Sequence, residues 1–316
     1  MKKTALICGI SGQDGAYLAQ LLISKGYRVI GTSRDAETNA FNNLDKLGIK
    51  SHVILASMAL NDFRNVLQII TKFEPIEIYN LAGQTSVGLS FSQPVETMES
   101  ISTGVLNLLE AVRFANNRIR VYNAGSGEVF GDTSKEPANE ETVFRPRSPY
   151  AVAKAAGFWQ VANYREAYDL FACTGILFNH ESPLRPQRFV TQKIISGAKE
   201  IAAGNLKSML LGNLNISRDW GWAPEYVEAM WLMLQMQTAD DYVIASGTSC
   251  SIEHFVDTVF RSHGLEWRKY VQIDKSLFRP LDISISNANP EKAEKLLGWH
   301  ARLTLDEIIN RMQIGI

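Results

Sequence analysis

A doubly wound α/β fold, a parallel sheet covered by helices on both faces, is predicted by three features of the sequence. Short apolar, β-compatible runs alternate with helix-length amphipathic runs up to about residue 178, a glycine-punctuated turn follows the first run, and no repeat or low-complexity linker divides the chain. Such alternation fits parallel strands, which need crossover connections. Thr4 to Cys8 reads as the first strand, and Tyr17, Leu18, Leu21 and Leu22 as one face of the helix after the turn. Tyr27 to Gly31 reads as the next strand, Val66 to Thr71 as part of a helix, and Glu77 to Leu81 as a strand. Val105 to Phe114 then reads as a helix and Arg120 to Ala124 as a strand. Ser148 followed by Pro149 marks another helix start, a capping hydroxyl before a residue preorganised for the first turn.

Beyond residue 178, Pro-rich and Gly-containing loops break the alternation, with helices expected around Val190 to Ala203, Tyr226 to Gln235, Ile252 to Arg261 and Pro290 to Leu297. The expected organisation is a Rossmann-type domain over 1–178 with a return segment at 214–248. A smaller C-terminal α/β lobe, 179–213 and 249–316, takes the substrate. Lys+Arg 32 against Asp+Glu 33 leave a net charge of −1, and no block of one sign points to nucleic acid or an anionic membrane as a partner. Cys8, Cys173 and Cys250 show no metal-ligand spacing, so no metal site and no disulfide framework is expected. The N-terminal apolar run is too short for a signal peptide and no stretch reaches the roughly 20 residues of a membrane span, so a cytoplasmic location is expected.

Gly9-Ile10-Ser11-Gly12-Gln13-Asp14-Gly15 places three glycines as G-x-x-G-x-x-G between a strand and a helix. Gly9, Gly12 and Gly15 allow a tight turn and a close backbone approach, and the first-turn amides of Gln13 and Asp14 face a phosphate with the positive end of the helix dipole behind them. The second strand runs on into Ser33-Arg34. An acid there would bind the ribose hydroxyls of NAD, whereas a hydroxyl and a guanidinium suit the extra phosphate of NADP. The competing reading of Arg34 is a solvated loop residue engaged by Asp35.

Ser148-Pro149-Tyr150-Ala151-Val152-Ala153-Lys154 sets Tyr150 and Lys154 one turn apart on the same helix face. A phenol with an ordinary pKa of about 10 acts as a base near neutrality only if cations stabilise the phenolate, which Lys154 and an oxidised nicotinamide would do. The strand Arg120 to Ala124 delivers Ser126 and Glu128 to the end of the sheet where open α/β folds bind ligands. A plain alcohol dehydrogenase needs only Ser126, Tyr150 and Lys154. The added carboxylate of Glu128 suggests a second proton transfer: oxidation at carbon 4 of a hexose acidifies the proton on carbon 5, whose removal expels water from carbon 6. The bland alternatives are an exposed Tyr-x-x-x-Lys pair and a salt-bridging Glu128.

These segments, with Tyr79-Asn80-Leu81-Ala82-Gly83-Gln84, Asn179-His180-Glu181-Ser182-Pro183-Leu184-Arg185, Phe189-Val190-Thr191, Arg218-Asp219-Trp220-Gly221 and Phe278-Arg279-Pro280, resemble the GDP-mannose 4,6-dehydratase family over nearly the whole chain. The resemblance implies an NADP-dependent hydro-lyase acting on GDP-mannose or a related nucleotide sugar, with Ser126, Glu128, Tyr150 and Lys154 catalytic. It implies Leu81, Ala82 and Gln84 beside the cofactor, and Ser86, Asn179, Glu181, Val190, Lys193, Arg218, Arg279 and Asp282 around the GDP-sugar. His180 is expected to be packed in a polar loop. Four departures stand out: Ser126 for the usual threonine, Ser57 for an acidic residue beside adenine, Asp282 for a glutamate, and Gly125 and Gly127 for small hydroxyl residues, which is expected to loosen the loop. Asp35 to Thr38 replaces a subunit-bridging Arg/Ser segment, so a homodimer is expected before a homotetramer. Rival readings are a GDP-4-keto-6-deoxyhexose reductase, a nucleotide-sugar 4-epimerase, and a cofactor-binding sensor, which would be expected to lack Tyr150, Lys154 or Glu128.

Overall fold

The computed structural model describes residues 2–116 and 118–315. In chain order the strands begin β1 (Thr4–Cys8), β2 (Arg28–Ser33), β3 (Val53–Ser57), β4 (Glu77–Asn80), β5 (Arg120–Ala124) and β6 (Ala172–Leu177). Shorter strands follow: β7 (Asn179–Glu181), β8 (Met209–Leu211), β9 (Ser217–Trp222), β10 (Tyr242–Ile244), β11 (Ser249–Ser251), β12 (Val271–Ile273) and β13 (Ile285–Ser286). The large sheet is parallel throughout and ordered β10-β6-β5-β4-β1-β2-β3. Helices on both faces bury its central strands, so every residue of β4 and β6 is buried, and the polar ends of β4, Glu77 and Asn80, are hydrogen-bonded to Tyr27, Tyr79 and Asn123.

Local chemistry sets the helix boundaries. The helix Phe63–Phe73 starts three residues before Val66 because the Asp62 carboxylate accepts the free N–H groups of Arg64 and Asn65. Ala223–Met233 starts before Tyr226 because Pro224 falls in its first turn. Ser148 caps Pro149–Tyr168, its Oγ accepting Ala151 N–H at 3.1 Å. β2 extends two residues past Gly31 because β3 keeps pairing with it, as far as Ser33 opposite Ser57.

The smaller lobe is organised on β9, which pairs with β7 and β13 in parallel and with β11 in antiparallel fashion. Helices Val190–Ala202, Ile252–Ser262 and Leu305–Ile314 close its core around Trp220, Phe255, Phe260 and Ile308. The segment 214–248 divides between the two parts: β9 lies in the lobe, whereas Ala223–Met233 packs on helix Gln13–Ser24 and β10 completes the large sheet. No helix among the described residues is long and apolar enough to cross a membrane.

Candidate active site

A cavity of about 430 Å³ opens at the C-terminal ends of β1, β4, β5 and β6 and runs into the lobe. Its cofactor side begins at the glycine turn. Gly9 has φ +83°, and a Cβ there would lie 3.0 Å from the backbone of Ala82, so both conformation and contact demand glycine. A Cβ on Gly15 would lie 2.5 Å from Gly9 O, which locks the helix onto the strand end. Gly12 occupies the N-cap position, and among the described residues no capping side chain bonds the first-turn N–H groups. Leu81 N–H bonds Cys8 O at 3.0 Å and Asn80 reaches Asn123 at 3.0 Å, so β1, β4 and β5 end together beneath the turn. Open amides over a side-chain-free cradle fit the diphosphate of a dinucleotide.

Arg34 is exposed and 3.4 Å from Glu96. Asp35 does not compete for it, because its carboxylate accepts the N–H groups of Glu37 and Thr38. The Ser57 hydroxyl accepts Ala36 N–H at 2.9 Å, holding the loop that follows Arg34. Gln84 bonds both polar backbone atoms of Ser86 and reaches Thr97, and Ser86 Oγ caps the short helix Val87–Ser90.

Ser126, Glu128, Tyr150 and Lys154 all line the same cavity. Ser126 Oγ caps the turn Gly127–Phe130 by accepting Glu128 N–H at 3.3 Å, which ties the hydroxyl to the acid. Burial pushes the Tyr150 phenol up to about 12; the Ser126 hydroxyl opposes the rise and the charge of Glu128 adds to it. Burial pulls the Lys154 ammonium down to about 8. Lys154 Nζ donates to Ala124 O at 2.7 Å and stands 5.8 Å from the Tyr150 ring centre. In the free chain Tyr150 is therefore a neutral phenol, and one more positive charge is needed to make it a base.

The glycines flanking Ser126 do the opposite of what was expected. A Cβ on Gly125 would come within 2.7 Å of Thr174 Cγ2 and 3.0 Å of Gly175 O, and one on Gly127 within 2.9 Å of the Phe178 ring. The loop is tight because Thr174 and Phe178 fill the space that side chains would occupy.

On the substrate side, Asn179, Val190, Lys193, Arg218, Arg279 and Asp282 line the cavity. Arg218 is buried and donates to Ser217 O, Ile283 O and Asp282. Arg279 lies between two acids, 3.8 Å from Asp282 and 4.0 Å from Glu128. Glu181 also borders the cavity, but its carboxylate accepts Thr191 Oγ1 at 2.7 Å and faces Arg185 at 3.4 Å. His180 lies on β7 rather than in a loop, buried and bonded to Asp14 at 2.9 Å. Gly9, Gly12, Gln13, Gly15, Arg34, Ala82 and Gln84 lie outside the cavity lining. Sequence reasoning missed Trp220 and Arg188, which do line it. Trp220 was within reach, since it follows Arg218 by two on a strand and so shares its face. Arg188 carries no such signal; it reaches Thr85 at 3.4 Å across the mouth.

A family model described as GDP-mannose 4,6 dehydratase matches residues 6–312. GDP-mannose 4,6 dehydratase 1 of Arabidopsis thaliana is 42% identical over 321 residues, covering 98% of this chain and 89% of that one. GDP-mannose 4,6-dehydratase of Vibrio cholerae is 38% identical, covering 99% and 93%. Among solved structures, UDP-glucose 4-epimerase of Thermus thermophilus in complex with NAD has a TM-score of 0.86 at 24% identity over 98% of both chains. dTDP-glucose 4,6-dehydratase from Bacillus anthracis in complex with NAD has a TM-score of 0.85 at 18% identity, covering 98% and 96%. At these identities the two structures speak for the fold alone.

Proposed function

This chain belongs to the GDP-mannose 4,6 dehydratase family, and from that premise we propose that it converts GDP-mannose to GDP-4-keto-6-deoxy-D-mannose with a resident nicotinamide dinucleotide. The observation that carries the reading is the convergence of Ser126, Glu128, Tyr150 and Lys154 on one cavity that also holds Arg218 and Arg279. When bound, the dinucleotide would supply the hydride chemistry that joins oxidation at carbon 4 to reduction at carbon 6. Tyr150 receives the proton of the carbon 4 hydroxyl, supported by Lys154 and guided by Ser126 Oγ. Glu128 removes the acidified proton on carbon 5 and passes it to the carbon 6 hydroxyl, which leaves as water, and the proton held by Tyr150 returns to carbon 5 when carbon 6 is reduced. Arg218 and Arg279 neutralise the diphosphate, exchanging their contacts with Asp282 and Glu128 for the substrate.

The glycine turn, with Leu81, Ala82 and Gln84 around it, would hold the dinucleotide. Ser33 and Arg34 support NADP over NAD, because an exposed guanidinium beside a hydroxyl suits a phosphate monoester and no acid of β2 competes for it. A homodimer is supported by Val152 and Trp159, two turns apart on the helix Pro149–Tyr168 and both exposed, Trp159 by 62%. Incubation with GDP-mannose and no added NADPH, followed by NMR, is expected to show a methyl group at carbon 6 and a ketone at carbon 4. Turnover of a GDP-4-keto-6-deoxyhexose only with added NADPH, one consumed per product, would establish a reductase instead, and a retained carbon 6 hydroxyl an epimerase.

A further inference from the structure

The helix that offers its N-terminus to a diphosphate carries an acid in its own first turn. Asp14 stands in that turn and lines the cavity beside Lys154. A free carboxylate there would oppose the attraction of the helix dipole for an anion. Its partner is His180, reached from 166 residues away. His180 Nε2 lies 2.9 Å from Asp14 Oδ2, and Nδ1 lies 2.8 Å from Phe178 O. A carbonyl only accepts, so Nδ1 carries a proton. A bare Nε2 would then turn its lone pair on the carboxylate, so a second proton lies between the two side chains. The network thus assigns an imidazolium and a carboxylate with no net charge.

The surroundings hold both members in place. The imidazole stacks on Tyr226 with ring centres 4.6 Å apart, and Gln13 Nε2 donates to Asp14 Oδ1 at 3.0 Å. Gln13 also donates to His180 O and accepts Ser182 Oγ, which binds the glycine turn to β7. The charged and titratable groups facing the pair come from several elements. Arg185, after β7, opposes the imidazolium and favours the carboxylate, and Lys154 approaches Asp14 from the helix Pro149–Tyr168. Glu181 on β7 is engaged by Thr191 and Arg185. Tyr226 and Tyr122 are kept neutral by burial. Burial works against charge on both members of the pair, yet their mutual attraction outweighs it, raising the pKa of His180 and lowering that of Asp14.

We infer that His180 is a positioning residue whose imidazolium cancels the charge of Asp14, so that dinucleotide affinity depends on the summed charge of the pair rather than on either side chain. This rests on the reading of the glycine turn as the dinucleotide site. The test is the Kd for NADP⁺, measured by calorimetry on purified protein at pH 7.5 for wild type, His180→Gln, Asp14→Asn and the double variant. His180→Gln is expected to bind about tenfold more weakly, the scale of one uncompensated charge at a helix N-terminus. The double variant, neutral again, is expected to recover to within about threefold of wild type. A double variant as weak as His180→Gln, or a His180→Gln variant as tight as wild type, overturns the inference. Wild type that binds no dinucleotide overturns the cofactor reading instead. Should His180→Gln not fold, the imidazole nitrogen shifts of the free wild-type protein decide, with the His180 signal identified by its response to Asp14→Asn. A doubly protonated ring at pH 7.5 supports the pair, and a neutral one overturns it.

Discussion

The two walls of the cavity are built in different ways. The cofactor wall is backed by main chain just outside the cavity lining: Gly9 against Ala82 and Gly15 against Gly9 leave no room for a Cβ, and the candidate binding groups are N–H bonds fixed by a helix start. The substrate wall is side chain: Arg218, Arg279 and Asp282 arrive from β9 and the segment before β13, and the two arginines are balanced by Asp282 and Glu128. The first wall is rigid before anything binds. The second exchanges one set of ion pairs for another, so its contribution to binding is the difference between them. The groups proposed for catalysis meet at the seam, where Tyr150 and Lys154 come from the Rossmann side and Glu128 faces Arg279.

Variants at the seam should have the largest effects. Tyr150→Phe removes the proton acceptor for carbon 4, and both hydride exchange at carbon 4 and water loss should fall by about 10³-fold or more. Glu128→Gln should lower water loss by about 10²- to 10⁴-fold while slow hydride exchange at carbon 4 persists, as followed with deuterium at that carbon. Equal loss of both steps would deny Glu128 a separate role. On the cofactor wall, Gly15→Ala drives a methyl into backbone that cannot rotate away. It should lower stability by about 1–3 kcal/mol in denaturant titrations and weaken dinucleotide binding more than it affects substrate binding. On the substrate wall, Arg279→Lys keeps the charge but loses the planar donors, so KM should rise by about tenfold with a smaller change in kcat.

The smallest effect is on pH. Lys154 holds its proton below about pH 8 and loses it above, and with it goes support for the phenolate. kcat/KM should therefore fall as pH rises through about 8, and Lys154→Arg, which stays charged, should move that limb upward. A limb unmoved by the arginine would assign it to another group.

The same contrast explains what could be read from the sequence. The cofactor turn and the Tyr150 helix are local devices, in which glycine spacing, Ser148, Pro149 and a one-turn separation are themselves the structural instruction. The apolar pattern at Val66 marks only part of its helix and the one at Tyr226 begins three residues late, because a cap and a proline precede the apolar residues. Gly125 and Gly127 were misread as slack because their tightness comes from Thr174 and Phe178, about 50 residues away and invisible to a local pattern. The Asp14 and His180 pair is hidden for the same reason, since each residue alone looks like an ordinary polar side chain.

β9 ends at Trp222 and the helix Ala223–Met233 begins at the next residue, so a single run without a loop ties the substrate lobe to the large sheet. Beside that helix, Gln13 and Asp14 grip β7, whose His180 stacks on Tyr226. Swinging the halves apart would have to break the contacts of Gln13 and Asp14 with β7 and bend the run from β9 into the helix. A route for ligand that spares these ties passes the segments bearing Thr85, Arg188 and Leu277, so substitutions there should change entry and release more than the chemistry.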